Sequence, residues 1–201
     1  MKSMLKDALI LFAITIIAGL LLGVVYDITK EPIAAQEAKA KMEACQNVFA
    51  DAATFEAYEF DADAATQVLA EGQLTGMNID EIMQALDASG NLVGYVITVT
   101  DHEGYGGDIQ FSMGVKLDGT LNGISLLSIA ETPGLGMKAE DVIVPQLADK
   151  QVSRFTVTKT GSTSDAEIDA ISGATVTSDA IVNGVNAGLY YFETVLLGGN
   201  A

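Results

Sequence analysis

The sequence predicts an α+β protein: one N-terminal transmembrane helix, followed by a mostly antiparallel sheet with helices packed against it. Three observations carry this. Residues 8–26, ALILFAITIIAGLLLGVVY, hold no charge and are almost wholly apolar. Between residues 81 and 130, extended runs rich in β-branched side chains alternate with short turns containing Gly, Asn and Asp. Residues 178–197 place Ala180, Ile181, Val185 and Leu189 on one stripe of a helix.

A helix over residues 8–26 is about 28 Å long, against a hydrocarbon core of about 30 Å. A cleavable secretory signal has a shorter apolar core of about 7–15 residues. Ala34 and Ala35 lie too far beyond the apolar run to mark a cleavage site, so a retained anchor is the preferred reading. Lys2 and Lys6 precede the span, and Lys30, Lys39 and Lys41 follow it, so lysine counting does not orient it. Gly19 and Gly23, four apart, clear one stripe for close approach of another helix.

The soluble part is read in order. A juxtamembrane helix is expected over 33–49, beginning after Pro32, and residues 50–80 are Ala- and Asp-rich without a clear pattern. Strands are expected over 81–87, 92–100, 109–116 and 120–129, with turns at 88–91, at the Gly-rich stretch 104–107 and at Asp118-Gly119. Pro133-Gly134 fits the centre of a type II turn. A short helix over 138–147, made irregular by Pro145, a strand over 154–159 and the last helix over 178–197 complete the chain. The expected organisation is a tail at 1–7, the anchor at 8–26, a juxtamembrane helix and connecting region at 27–80, and a folded domain at 81–201.

Composition narrows the chemistry. The 201 residues carry a formal charge of −17 with a pI near 4.1, a surface that repels phosphate backbones, so nucleic acid is not an expected partner. One Cys, Cys45, and one His, His102, exclude an internal disulfide, and within one chain they exclude a four-cysteine iron–sulfur site, a His/Cys zinc site and bis-histidine haem. His102 is read as a loop residue without a role, and Cys45 as a small buried apolar group. Redox activity then requires an organic cofactor.

The most informative stretch is Asp169-Ala170-Ile171-Ser172-Gly173-Ala174-Thr175-Val176-Thr177-Ser178. On physical grounds it is a tight turn entering a helix. Gly173 permits the bend, Ala174 leaves Thr175 uncrowded, and Thr177, Ser178 or Asp179 is available to cap the helix. A helix start offers free N–H groups and partial positive charge, both suited to phosphate. Alone, these features also describe an ordinary capped helix.

Asp-x-x-Ser-Gly-Ala-Thr resembles the flavinylation motif of the FMN-binding domain family, with Asp169, Ser172, Gly173, Ala174 and Thr175 in register. Gly104-Tyr105-Gly106-Gly107-Asp108-Ile109 and Glu131-Thr132-Pro133-Gly134-Leu135-Gly136 also resemble signatures of that family. With the single anchor, they make the chain similar to the G subunits of Rnf electron-transport complexes and, closely related, to the C subunits of the sodium-pumping NADH:quinone oxidoreductase. The compact chain favours the Rnf group.

The resemblance implies an FMN-binding domain whose FMN is bonded through a phosphodiester to Thr175, placed there by a flavin transferase. Ser172, Gly173, Ala174, Glu131, Thr132, Leu135 and Lys159 are the remaining candidate cofactor contacts. Catalytic residues and metal ligands are not expected. The implied role is that of an electron relay in a membrane complex coupling ferredoxin/NAD redox chemistry to ion translocation. Other membrane subunits, the flavin transferase and membrane lipid are the implied partners, with the N-terminus cytoplasmic and the domain extracytoplasmic. The alternative of a different class is an anchored, acidic, non-catalytic binding domain.

Overall fold

The computed structural model describes residues 2–198. The chain divides into two compact units, Met1–Ala40 and Lys41–Ala201. Helix α1 (Lys2–Val48) supplies the first unit and enters the second. Among the described residues it is the one helix long and apolar enough to cross a membrane, and its apolar stretch is unburied. Hydroxyls along α1 turn back on the helix: Thr15 donates to the Leu11 carbonyl at 2.5 Å and Thr29 to that of Val25 at 2.8 Å. The separate helix expected after Pro32 is not separate, because α1 runs through Pro32 without a break. Proline deletes one backbone bond there, while helix propagation from long runs on both sides outweighs that loss.

In the second unit five strands form one antiparallel sheet in sequence order: β1 (Thr54–Ala57), β2 (Met77–Leu86), β3 (Leu92–Asp101), β4 (Ile109–Lys116) and β5 (Leu121–Ile129). Residues 50–80, patternless in the sequence, supply β1, helix α2 (Ala62–Glu71) and the start of β2. Asp61 caps α2 by accepting from the N–H groups of Asp63 and Ala64.

Period-two alternation decides what each face meets. Tyr95, Ile97 and Val99 of β3 and Phe111, Met113 and Val115 of β4 belong to the main core, together with Ile181, Val185 and Leu189 of helix α4 (Thr175–Tyr191). A side chain at Gly184 would press on the Phe111 ring at 3.0 Å, and one at Gly188 would collide with Met113 Sδ. Two glycines four apart thus let α4 lie directly on the sheet. The helix begins three residues earlier than the expected 178, and from Phe192–Leu197 it widens into a π-type turn. Asn186 of α4 holds the approach to β6 (Thr156–Thr158), accepting from Phe155 N–H at 2.7 Å and donating to Phe155 O at 3.0 Å. Strand β6 pairs in parallel with β7 (Glu167–Asp169). The helix expected over 138–147 is a short α3 (Ala139–Val142) between 3₁₀ turns at Gly136–Lys138 and Val144–Leu147, the second of which takes Pro145 in its first turn.

The opposite face meets the end of α1. Cys45, Val48 and Phe49 pack with Ala85 and Val96, and the Phe49 ring occupies the space that side chains at Gly94 and Gly114 would fill. The Cys45 thiol lies 3.7 Å from Met83 Sδ, and burial, reinforced by the nearby Glu81 carboxylate, pushes it up to about 11. Beyond the apolar patch this face is polar and internally paired: Thr98 with Ser112 at 3.0 Å, and Asp80 accepting from Thr100 and Gln110.

Phe49→Ala is expected to lower the stability of the second unit by about 3–5 kcal/mol, through the cavity left over Gly94 and Gly114. Denaturant unfolding of the full chain in detergent measures it.

Candidate functional site

Three chain segments converge on one cleft of about 490 Å³, within the range of small-molecule sites. The β3–β4 loop contributes Tyr105, the segment after β5 contributes Glu131, Thr132, Leu135 and Gly136, and the entry to α4 contributes Gly173 through Thr177.

Each segment is bent by local chemistry. Leu135 N–H donates to Thr132 O at 3.1 Å across Pro133-Gly134, and Gly134 has φ of 80°, the type II geometry expected for Pro-Gly. At the third segment Ala174 N–H donates to Ile171 O at 2.9 Å and Gly173 also has φ of 80°. Ser-Gly here is therefore the centre of a second such turn, where a residue with a Cβ is strained. Thr175 follows directly as the first residue of α4.

Glu131 joins the segments. It is only 6% exposed, and its Oε1 accepts from Gly106 N–H at 3.1 Å, which ties the β3–β4 loop to the Pro-Gly turn. A side chain at Gly136 would stand 2.7 Å from Glu131 Cβ and 2.7 Å from Thr177 Oγ1. Bare backbone at Gly136 is what lets the turn reach the first turn of α4.

The expected helix cap is not formed. Thr177 and Ser178 lie inside α4, its N-cap is Ala174, and no side chain caps its first amides. The partial positive charge at the start of this 17-residue helix therefore faces the cleft with Thr175 half-buried beside it. Apolar walls are exposed nearby: Tyr105 at 74%, Val176 at 49% and Leu135 at 39%. A flat aromatic ring system carrying a phosphate fits this set of donors and walls.

Of the residues the sequence singled out, Thr175, Gly173, Ala174, Glu131, Thr132 and Leu135 line the cleft together. Ser172 is exposed on the turn, and Lys159 is exposed just past β6; neither lines the cleft. Tyr105, Gly136, Val176 and Thr177 line it without having been singled out as contacts. Tyr105 left a signal, as the one large side chain within Gly-Tyr-Gly-Gly.

Two ionisable residues flank the β3–β4 loop. His102 bridges Asp108 and Asn78, each at 2.9 Å. Asp101 is fully buried at the loop's base, where its Oδ1 accepts from Glu103 N–H at 2.7 Å and its Oδ2 has no partner. Burial pushes the Asp101 carboxyl up to about 6.

Family models match the chain at two places: the FMN-binding domain over residues 104–190 and the RnfG N-terminal region over residues 1–48. The G subunit of the Na(+)-translocating ferredoxin:NAD(+) oxidoreductase complex of Acetobacterium woodii is 32% identical over 199 residues, covering 96% of this chain and 94% of its own. The G subunit of the proton-translocating ferredoxin:NAD(+) oxidoreductase complex of Clostridium ljungdahlii is 34% identical over 188 residues, covering 90% of each chain. The crystal structure of Shewanella oneidensis NqrC is similar over 57% of this chain and 58% of that one, at 24% identity and a TM-score of 0.47.

Gly136→Ala is expected to cost about 1–3 kcal/mol, because the added carbon meets two fixed neighbours; thermal unfolding reads it. For Asp101 the folded carboxyl stands above its ordinary value of 3.8. Its ionisation therefore costs stability that is intact below pH ~4 and lost as pH rises through ~6. Asp101→Asn keeps an oxygen for Glu103 N–H, so between pH 4 and 7.5 the balance is expected to shift toward the variant by about 1–3 kcal/mol. Melting temperatures of both proteins across that range provide the check.

Proposed function

Because this chain belongs to the family of Rnf-complex G subunits, we propose that it relays electrons through a covalently held FMN inside a membrane-bound, ion-translocating ferredoxin:NAD oxidoreductase complex. Its FMN-binding domain takes in the residues of the cleft. Bound FMN supplies the reversible electron carrier that this chain's own side chains lack.

The observation that carries the reading is the position of Thr175. It is the first residue of an uncapped helix and lines a cleft walled by the three glycine-containing segments. Attachment is a balanced exchange. Thr175 Oγ bonds to the flavin-side phosphorus of FAD, the bond within the pyrophosphate breaks, AMP departs and the hydroxyl proton is released. A flavin transferase performs it.

The chain's residues then divide the work. The free amides of Thr175, Val176 and Thr177 face a diester bearing one negative charge. Leu135, Val176 and Tyr105 supply apolar surface for the ring and keep water from its faces. Glu131 holds the β3–β4 loop by Gly106 N–H, and the glycines at 104, 106 and 136 allow backbone to approach closely. A site of this kind needs an accessible ring edge for electron transfer and no substrate-sized chamber. On this reading the anchor sits in the membrane beside other members of the complex, with its N-terminus cytoplasmic and its folded domain on the far side.

Intact-mass measurement of the full chain, co-expressed with a flavin transferase, is expected to show one added FMN, with tandem mass spectrometry locating it on Thr175. Thr175→Ala is expected to lose both the added mass and the in-gel flavin fluorescence. A Thr175→Ala protein that still carries covalent flavin overturns the assignment.

A further inference from the structure

Ser178 sits three residues into α4 and is fully buried. It is not spent on a cap. Its Oγ accepts from Ile171 N–H at 3.0 Å and donates to Ala174 O at 2.9 Å. Ala174 N–H in turn donates to Ile171 O at 2.9 Å, and Ser178 N–H donates to Ala174 O at 3.1 Å. Both ends of the turn from Ile171 to Ala174 are therefore fastened to one hydroxyl, and that hydroxyl is anchored on the helix. Ile171 and Ala174 are themselves buried, at 4% and 9% exposure, so water does not replace a lost partner there.

Thr175 is the next residue after this fastened turn. Its Oγ has no hydrogen-bond partner among the described residues, so its placement comes from the backbone on either side. That backbone is fixed on one side by the Ser178 hydroxyl and on the other by the helix seated on the sheet. A nucleophile misplaced by about 1 Å loses much of its rate.

We propose that Ser178 is the positioning residue for modification of Thr175: its hydroxyl locks the Ile171–Ala174 turn so that Thr175 Oγ is presented at a fixed place for phosphoryl transfer. Ser178 touches neither FAD nor the reacting atoms and acts only through the turn. The inference rests on the reading of Thr175 as the acceptor. It goes beyond that reading by assigning the acceptor's competence to a hydroxyl outside the cleft lining.

The test uses the full chain made without a flavin transferase, purified in detergent, then treated with purified transferase and FAD. The rate of FMN attachment is followed by intact mass, and the dependence on acceptor concentration separates kcat from KM. Ser178→Ala is expected to lower kcat for attachment on the order of tenfold, with KM little changed, because the surface met by the transferase is intact. Ser112→Ala is the control. It breaks the buried Thr98–Ser112 pair on the far face of the sheet and is expected to stay within about twofold of the parent. Ser178→Cys is the nearest replacement in shape and weakens both bonds; it carries the test should Ser178→Ala not fold, and is expected to be slowed while remaining folded. Attachment at the parental rate in Ser178→Ala, or in a folded Ser178→Cys standing in for it, overturns the proposal. So does equal slowing in Ser112→Ala, which makes the effect one of general stability. A parent chain modified elsewhere than Thr175, or not at all, instead overturns the reading of the acceptor.

Discussion

The site depends first on how closely α4 lies against the sheet. Gly184 and Gly188 remove the side chains that would hold the helix away from Phe111 and Met113. With that approach fixed, the helix has little freedom to slide or lift, and its first residue falls where the Pro-Gly turn and the β3–β4 loop meet. Asn186 adds a second constraint from the same helix by bonding both backbone groups of Phe155. The cleft is thus a consequence of core packing some distance from it. Loops alone would define it poorly; here each is fastened, one by Glu131, one by a type II turn, one from within the helix.

The electrostatic setting gives the proposed covalent link a physical purpose. The chain carries a formal charge of −17, and an acidic protein disfavours a free phosphate dianion through long-range repulsion. Esterification would remove one of those charges, and an uncapped helix start would offset part of the other. A bonded cofactor also does not depend on its concentration in the surroundings. The open side of the site, with exposed aromatic and aliphatic walls, is then no defect. Electrons move between neighbouring groups without a substrate being enclosed.

Much of this was legible in the sequence because the signals were local. β-Branched runs between turn residues gave β3, β4 and β5, and Pro133-Gly134 gave its turn. The Ser-Gly-Ala-Thr stretch gave the bend before α4. What failed was non-local or weakly patterned. β1 is a four-residue strand at the sheet edge beside β2, and so short a run has no period to detect. Pro32 suggested a boundary, yet one lost backbone bond did not stop a helix of this length. Thr177 and Ser178 looked like caps by residue type. The burial that turns Ser178 inward to Ile171 and Ala174 belongs to the tertiary structure. Lys159 attracted notice by charge alone, and it stands exposed just past β6, outside the cleft lining. Tyr105 stood in a recognised stretch but was overlooked as a wall because its partners, the residues around Thr175, are some seventy positions away.

Cys45 has a practical consequence of a different kind. Its thiol is sealed between the end of α1 and the sheet and resists deprotonation, so maleimides and alkyl halides meet almost no thiolate on the native protein. A cysteine introduced at any exposed position would be the single reactive handle on the molecule. Spin labels or fluorophores could therefore be mounted on the folded unit without first deleting a native residue, and distances to neighbouring proteins of the complex read in an otherwise unaltered chain.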